Sequence, residues 1–92
     1  MENTMDKVII TVVGKDTVGI IAKVSNLLFE NGINILDISQ TIMQDLFTMI
    51  MLVDVKEVQV GDLQEKLDVI AKEMNLSIRV QNEEIFNSMH RI

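Results

Sequence analysis

Two long, largely apolar stretches, residues 33–44 (INILDISQTIMQ) and Leu46–Val55 (LFTMIMLVDV), are separated by a single turn candidate, Asp45. Both have strand composition: Ile33, Ile35, Leu36, Ile38 and Ile42 are the apolar positions of the first, while Asp37, Ser39 and Thr41 alternate on one face. Strands joined by so short a turn must lie antiparallel as a hairpin, because a parallel pairing needs a crossover of a dozen residues or more. Whatever else the chain forms must pack around this hairpin.

The flanking segments have the same form on either side. Before the hairpin, Lys7–Val13 (KVIITVV) is β-branched and nearly continuously apolar, as a strand covered on both faces should be. Gly14-Lys15-Asp16 interrupts it. Ile20, Ile21, Val24, Leu27 and Leu28 then follow the spacing of one helical face, with Lys23, Asn26 and Glu30 opposite. Asp16 or Thr17 is expected to cap this helix and Asn31-Gly32 to end it. After the hairpin, Leu63, Leu67, Ile70, Ala71 and Met74 mark a second helix, with Asp62 as the expected N-cap and Glu65 completing a capping-box-like pair. Leu76, Ile78 and Val80 alternate with Ser77, Arg79 and Gln81, the pattern of a strand wet on one side. From Glu83 to Ile92, Ile85, Phe86, Met89 and Ile92 recur at helical spacing and predict a short C-terminal helix.

The order strand, helix, strand, strand, helix, strand implies two right-handed crossovers around the hairpin. The expected fold is α+β: a ferredoxin-like βαββαβ sandwich whose four-stranded antiparallel sheet has order 4-1-3-2 and both helices on one face. The helix-free face should mix Thr11, Ser39, Thr48 and Arg79 with Ile9 and Ile50. One domain is expected over 1–92, with a core at about 6–82 and an amphipathic tail at 83–92. A chain of 92 residues buries only about 60% of its unfolded surface, so sharing surface with a partner subunit is favoured. The tail's Ile85, Phe86 and Met89 are candidates to cover the open face or clamp that partner.

Composition removes most chemistry. There is no cysteine, hence no disulfide, thiol nucleophile or zinc ribbon, and the single histidine, His90, is too little for a triad or a metal site. Ser25, Ser39, Ser77 and Ser88 lie in no nucleophile-elbow motif. The pairs Asp37 with Asp54 and Glu83 with Glu84 have the scatter of solvated surface charge. No enzyme, metal or cofactor is therefore expected. A net charge of −6 opposes nucleic-acid binding, and Phe29, Phe47 and Phe86 are too scattered to form a base-stacking platform. No run approaches a membrane span and Met1–Asp6 lacks a basic signal-peptide region, so a cytoplasmic protein without membrane contact is expected. Met43, Met49 and Met51 fit hairpin core or dimer filling, or else an adaptable binding surface.

The most informative stretch is Gly14-Lys15-Asp16-Thr17-Val18-Gly19-Ile20. A glycine ends a strand and a second glycine sits at a helix start, where first-turn N–H groups favour an anionic group. Spacing alone leaves two readings open: a tight strand-to-helix turn, or a loop that approaches a ligand. The spacing matches neither G-x-G-x-x-G nor a Walker loop.

Residues 14–40 (GKDTVGIIAKVSNLLFENGINILDISQ) resemble the ACT domain, whose loose motif runs D-x-x-G-[ILV] into an apolar helix and then G-[IV]-N-[IV] at the start of the second strand. The resemblance extends over about residues 6–82. Residues 10–16 (ITVVGKD), 37–41 (DISQT) and the I-F-x-x-M pattern at 85–89 are similar to stand-alone, single-ACT proteins, related to the ACT modules of glycine-cleavage regulators. The resemblance implies a non-catalytic regulatory domain that binds a small metabolite, often an amino acid, in a homodimer and signals to another protein. It also implies that second strands pair edge to edge, with the ligand between one subunit's first loop and the start of its partner's second strand. By position, Gly14, Asp16, Thr17 and Gly19 match the loop and helix start, and Asn34 matches the strand residue that reaches across the interface. Gly14, Asp16 and Val18 depart from the serine-binding pattern, so the resemblance leaves the amino acid unspecified. The alternative is a ligand-free dimerisation module of the same fold. A small phosphatase-like enzyme would need an arginine in the first loop, and the arginines are Arg79 and Arg91.

Overall fold

The computed structural model describes residues 7–15, 19–56 and 60–82. Its elements are β1 (Lys7–Lys15), α1 (Ile20–Glu30), β2 (Asn34–Met43), β3 (Leu46–Asp54), α2 (Val60–Met74) and β4 (Ser77–Asn82). The strands form one sheet of order β2-β3-β1-β4, antiparallel at every contact, the ferredoxin-like arrangement expected from the sequence. The expected C-terminal helix and the tail at 83–92 lie outside the described residues.

The core fills the space between one sheet face and the two helices. Val8, Ile10 and Val12 of β1, Phe47, Met49, Met51 and Val53 of β3, and Ile78 of β4 meet Ile20, Val24 and Leu28 of α1 and Leu63, Leu67 and Ile70 of α2. Met49 and Met51 are fully buried here, whereas Met43 at the hairpin tip is exposed. On the other face, the register sets Thr11 against Ile50 and Arg79, Ile9 against Leu52, and Ser39 against Ile50, the mixture anticipated for the helix-free side.

Both helices end alike. Ile33 N–H donates to Leu28 C=O at 2.9 Å and Gly32 N–H to Phe29 C=O at 3.1 Å, with Gly32 at φ 71°, a Schellman ending that satisfies carbonyls the helix leaves free. At the end of α2, Leu76 N–H reaches Ala71 C=O at 2.8 Å over Asn75 at φ 58°. Asparagine tolerates this left-handed turn better than most non-glycine residues.

Element boundaries differ from expectation in three places. Strand β1 continues through Gly14 and Lys15, which pair with Phe47 and Leu46, so the interruption comes later than glycine alone suggests. Asp62 lies within the first turn of α2, which begins at Val60, and is not its cap. The hairpin turn is Gln44-Asp45, closed by the Met43–Leu46 pair, with positive φ at Gln44. A left-handed first turn position matches the right-handed twist of the flanking strands.

Candidate ligand-binding site

Five residues match the ligand-site positions that the resemblance implies: Gly14, Asp16, Thr17, Gly19 and Asn34. Gly14 belongs to β1, and a Cβ there would overlap the Leu76 side chain at the α2–β4 junction. Its lack of a side chain therefore permits close packing inside the chain. Gly19 is different: a Cβ there would meet nothing within 4 Å, but the residue is the N-cap of α1 at φ 90°, a left-handed conformation that disfavours side chains. Its carbonyl accepts from Lys23 N–H at 2.9 Å. The N-cap position of α1 is Gly19, which has no side chain to cap with, in place of the expected Asp16 or Thr17. Asp16 and Thr17 themselves lie outside the described residues.

Asn34 opens β2, is exposed, and pairs with Asp54. Gly14 pairs with Phe47 on the same central strand, β3. Phe47 and Asp54 are seven residues apart, which places Gly14 and Asn34 at opposite ends of the sheet, about 23 Å apart along the strand direction. One chain thus holds the loop end and the Asn34 end of the candidate site far apart.

Beside Asn34 the ladder slips between Ile35 and Asp37, leaving Leu36 as an extra, unpaired residue. Such a bulge bends an edge strand and re-aims its side chains. Asp37 Oδ1 accepts from Ile38 N–H at 2.9 Å, fixing the strand just after it. The signal for it in the sequence is a slip of phase: the apolar positions run Ile33, Ile35 and then Leu36, Ile38, Ile42, changing from odd to even where the extra residue is inserted.

Strand β2 is exposed at nine of its ten positions. Ile42 and Met43 are each 67% exposed, and Leu36, Ile38 and the neighbouring Leu46 add to the same apolar border. Helix α1 turns its Lys23, Leu27 and Glu30 side toward α2, forming with Ile70 an open groove of about 560 Å³. By helical spacing its opposite flank, with Ile21 and the 80%-exposed Phe29, lies toward β2.

Lys66 Nζ donates to Asn31 Oδ1 at 2.6 Å, and Asn31 Nδ2 donates to Leu27 C=O at 2.8 Å, tying the two helices at the end of α1. Among the described residues, no group of three or more His, Asp or Glu side chains is placed to hold a metal ion. No described helix is long and apolar enough to cross a membrane.

The family model for the ACT domain matches residues 6–81. A UPF0237 protein of Clostridium acetobutylicum is 57% identical over 88 residues, covering 94% of this chain and 99% of the relative. Among solved structures, an ACT domain protein from Streptococcus pneumoniae superposes with a TM-score of 0.77 at 43% identity, covering 87% of this chain and 92% of that one. The ligand-free regulatory subunit of aspartate kinase from Thermus thermophilus superposes with a TM-score of 0.67 at 25% identity, over 85% of this chain and 52% of that subunit.

Proposed function

The chain belongs to the ACT domain family, and from that premise we propose that it is a non-catalytic regulatory module: a homodimer that binds a small metabolite, an amino acid, between its subunits and passes the bound state to another protein. The observation that carries this reading is the separation of Gly14 from Asn34 within one chain. Antiparallel pairing of β2 with the β2 of a second copy reverses one strand against the other. The start of one β2 then lies beside the end of its partner, the end of the sheet where β1 finishes. Two half-sites in each chain become two whole sites in the dimer.

The exposed border of β2, with Ile38, Ile42 and Met43, and the adjoining α1 flank, with Ile21 and Phe29, supplies the apolar area for that pairing. The chemistry of the half-sites suits an amino acid. First-turn N–H groups of α1, behind an N-cap glycine that has no side chain, favour a carboxylate, while the Asn34 amide oxygen and the Asp16 carboxylate can accept from an ammonium group. The T. thermophilus neighbour is a regulatory subunit, which fits a regulatory role here. With no cysteine and one histidine, the chain carries little to support catalysis, and a cytoplasmic setting fits its cysteine-free composition.

The second reading, a dimerisation module without a ligand, is favoured by one observation: Leu76 already accounts for Gly14. Thermal unfolding in the presence of each of the twenty amino acids separates the two. A ligand at 100 Kd adds about 2.7 kcal/mol to stability, a shift of many degrees for a small domain. One amino acid raising Tm for the native protein, but not for Asn34→Ala, is expected. No shift with any of the twenty would leave only the dimerisation module.

A further inference from the structure

The two edges of the sheet are treated differently. Strand β4 is six residues long and, among the described residues, pairs with β1 on one side only, through Ile10–Val80 and Val12–Ile78 among others. On its outer side sits Gln64, from the second turn of α2. Gln64 Nε2 donates to Ile78 C=O at 3.0 Å, and Gln64 Oε1 accepts from Val80 N–H at 2.8 Å. In an antiparallel strand, residues two apart turn their N–H and C=O groups to the same side, and those of Ile78 and Val80 face away from β1. The side-chain amide therefore occupies the acceptor and donor that a neighbouring strand would use.

The arrangement has one orientation. Gln64 Nε2 also donates to Asp68 Oδ1 at 2.8 Å, so both amide hydrogens are committed. A reversed amide would set its oxygen against two acceptors, Asp68 Oδ1 and Ile78 C=O, and its NH₂ group against the Val80 donor. Asp68, one turn further along α2, thereby holds the amide in the one state that matches the strand edge. Gln64, Asp68, Arg79 and Gln81 border a polar groove of about 350 Å³ along that edge.

We infer that Gln64 closes the β4 edge against addition of a strand from a second copy of this chain, so that β2 is the edge left for assembly. An exposed edge is a template for further pairing, and a subunit with two open edges builds open-ended chains instead of a closed dimer. The closure of β4 stands on the hydrogen bonds alone, while the statement that assembly ends at two subunits rests on the proposed β2 pairing.

The test compares the native protein with Gln64→Ala and with Gln64→Leu, which keeps side-chain bulk but cannot bond the edge. Light scattering over a range of protein concentrations gives the mass, and hydrogen exchange gives the protection of the Val80 amide. For the variant that folds by circular dichroism, the expectation is at least tenfold faster Val80 exchange under dilute conditions, with the amides of core strand β3 unchanged. Its mass should rise with concentration beyond that of the native protein. Native exchange at Val80, or a mass that stays at the native value, overturns the inference. A native protein of monomer mass whose Gln64 variants still associate would refute the β2 dimer while supporting the closure of β4.

Discussion

Gly14 is the position where close packing and ligand approach make different demands, and Gly14→Ala separates them. A Cβ built on Gly14 overlaps Leu76 Cδ2, while the Leu76 Cα stays at an ordinary 3.7 Å. The clash is therefore with the mobile end of a side chain, and Leu76 can relieve it by leaving its place against the core. Overpacking of this kind costs about 1–3 kcal/mol, and a side chain able to rotate away puts Gly14→Ala at about 1–2 kcal/mol. For a domain of this size that is a fall in Tm of roughly 4–16 °C. Leu76→Ala removes the obstructing atoms, so in that background the added methyl should cost about 1 kcal/mol less, a coupling measurable by a double-mutant cycle in urea. Additive costs would refute the packing account of Gly14. A Gly14→Ala protein of native stability would refute it outright.

Gln44 takes positive φ without being glycine, so Gln44→Gly should stabilise the fold by about 0.5–1 kcal/mol, read as a rise in Tm. Gly19→Ala should cost about 1 kcal/mol, because φ 90° at the N-cap of α1 penalises any Cβ even in open space. Ile42→Lys alters a residue 67% exposed in the single chain, so it should weaken association at least tenfold by analytical ultracentrifugation while changing the stability of the isolated subunit by less than about 0.5 kcal/mol.

What the sequence makes legible is periodicity within a segment. The strand-like composition of residues 33–44 and 46–55 on either side of one turn candidate carries the hairpin, and the spacing of Ile20, Val24 and Leu28 carries the buried stripe of α1. What it hides is contact between distant segments. Gly14 looks like a strand breaker because its reason for being glycine, Leu76, lies in the other half of the chain. Gly19 is legible as a glycine at a helix start, but only its φ shows that it is the N-cap, just outside the helix. Gln64 has the appearance of one more solvated position on the polar side of α2, and only the third dimension brings it against Val80 and Ile78. The candidate site is the extreme case: the order of its residues along the chain is legible, but only the sheet register shows that Gly14 and Asn34 stand at opposite ends of one sheet.

The absence of cysteine makes the central claim directly measurable with single introduced thiols. Lys15 and Asn34 stand opposite Leu46 and Asp54 on β3, about 28 Å apart within one chain once eight residue steps and two strand spacings are combined. Across a β2–β2 pair centred on the middle of the strand, Lys15 of one subunit and Asn34 of the other are three strand spacings apart, about 14 Å. A bis-maleimide spanning about 15 Å should link Lys15→Cys to Asn34→Cys when the two variants are mixed and allowed to exchange subunits. Neither variant alone should cross-link, since the like positions are more than about 25 Å apart in that arrangement. Efficient linking confined to the mixture is the result this account predicts. Linking within either variant alone, or none in the mixture, would contradict a site shared between two chains.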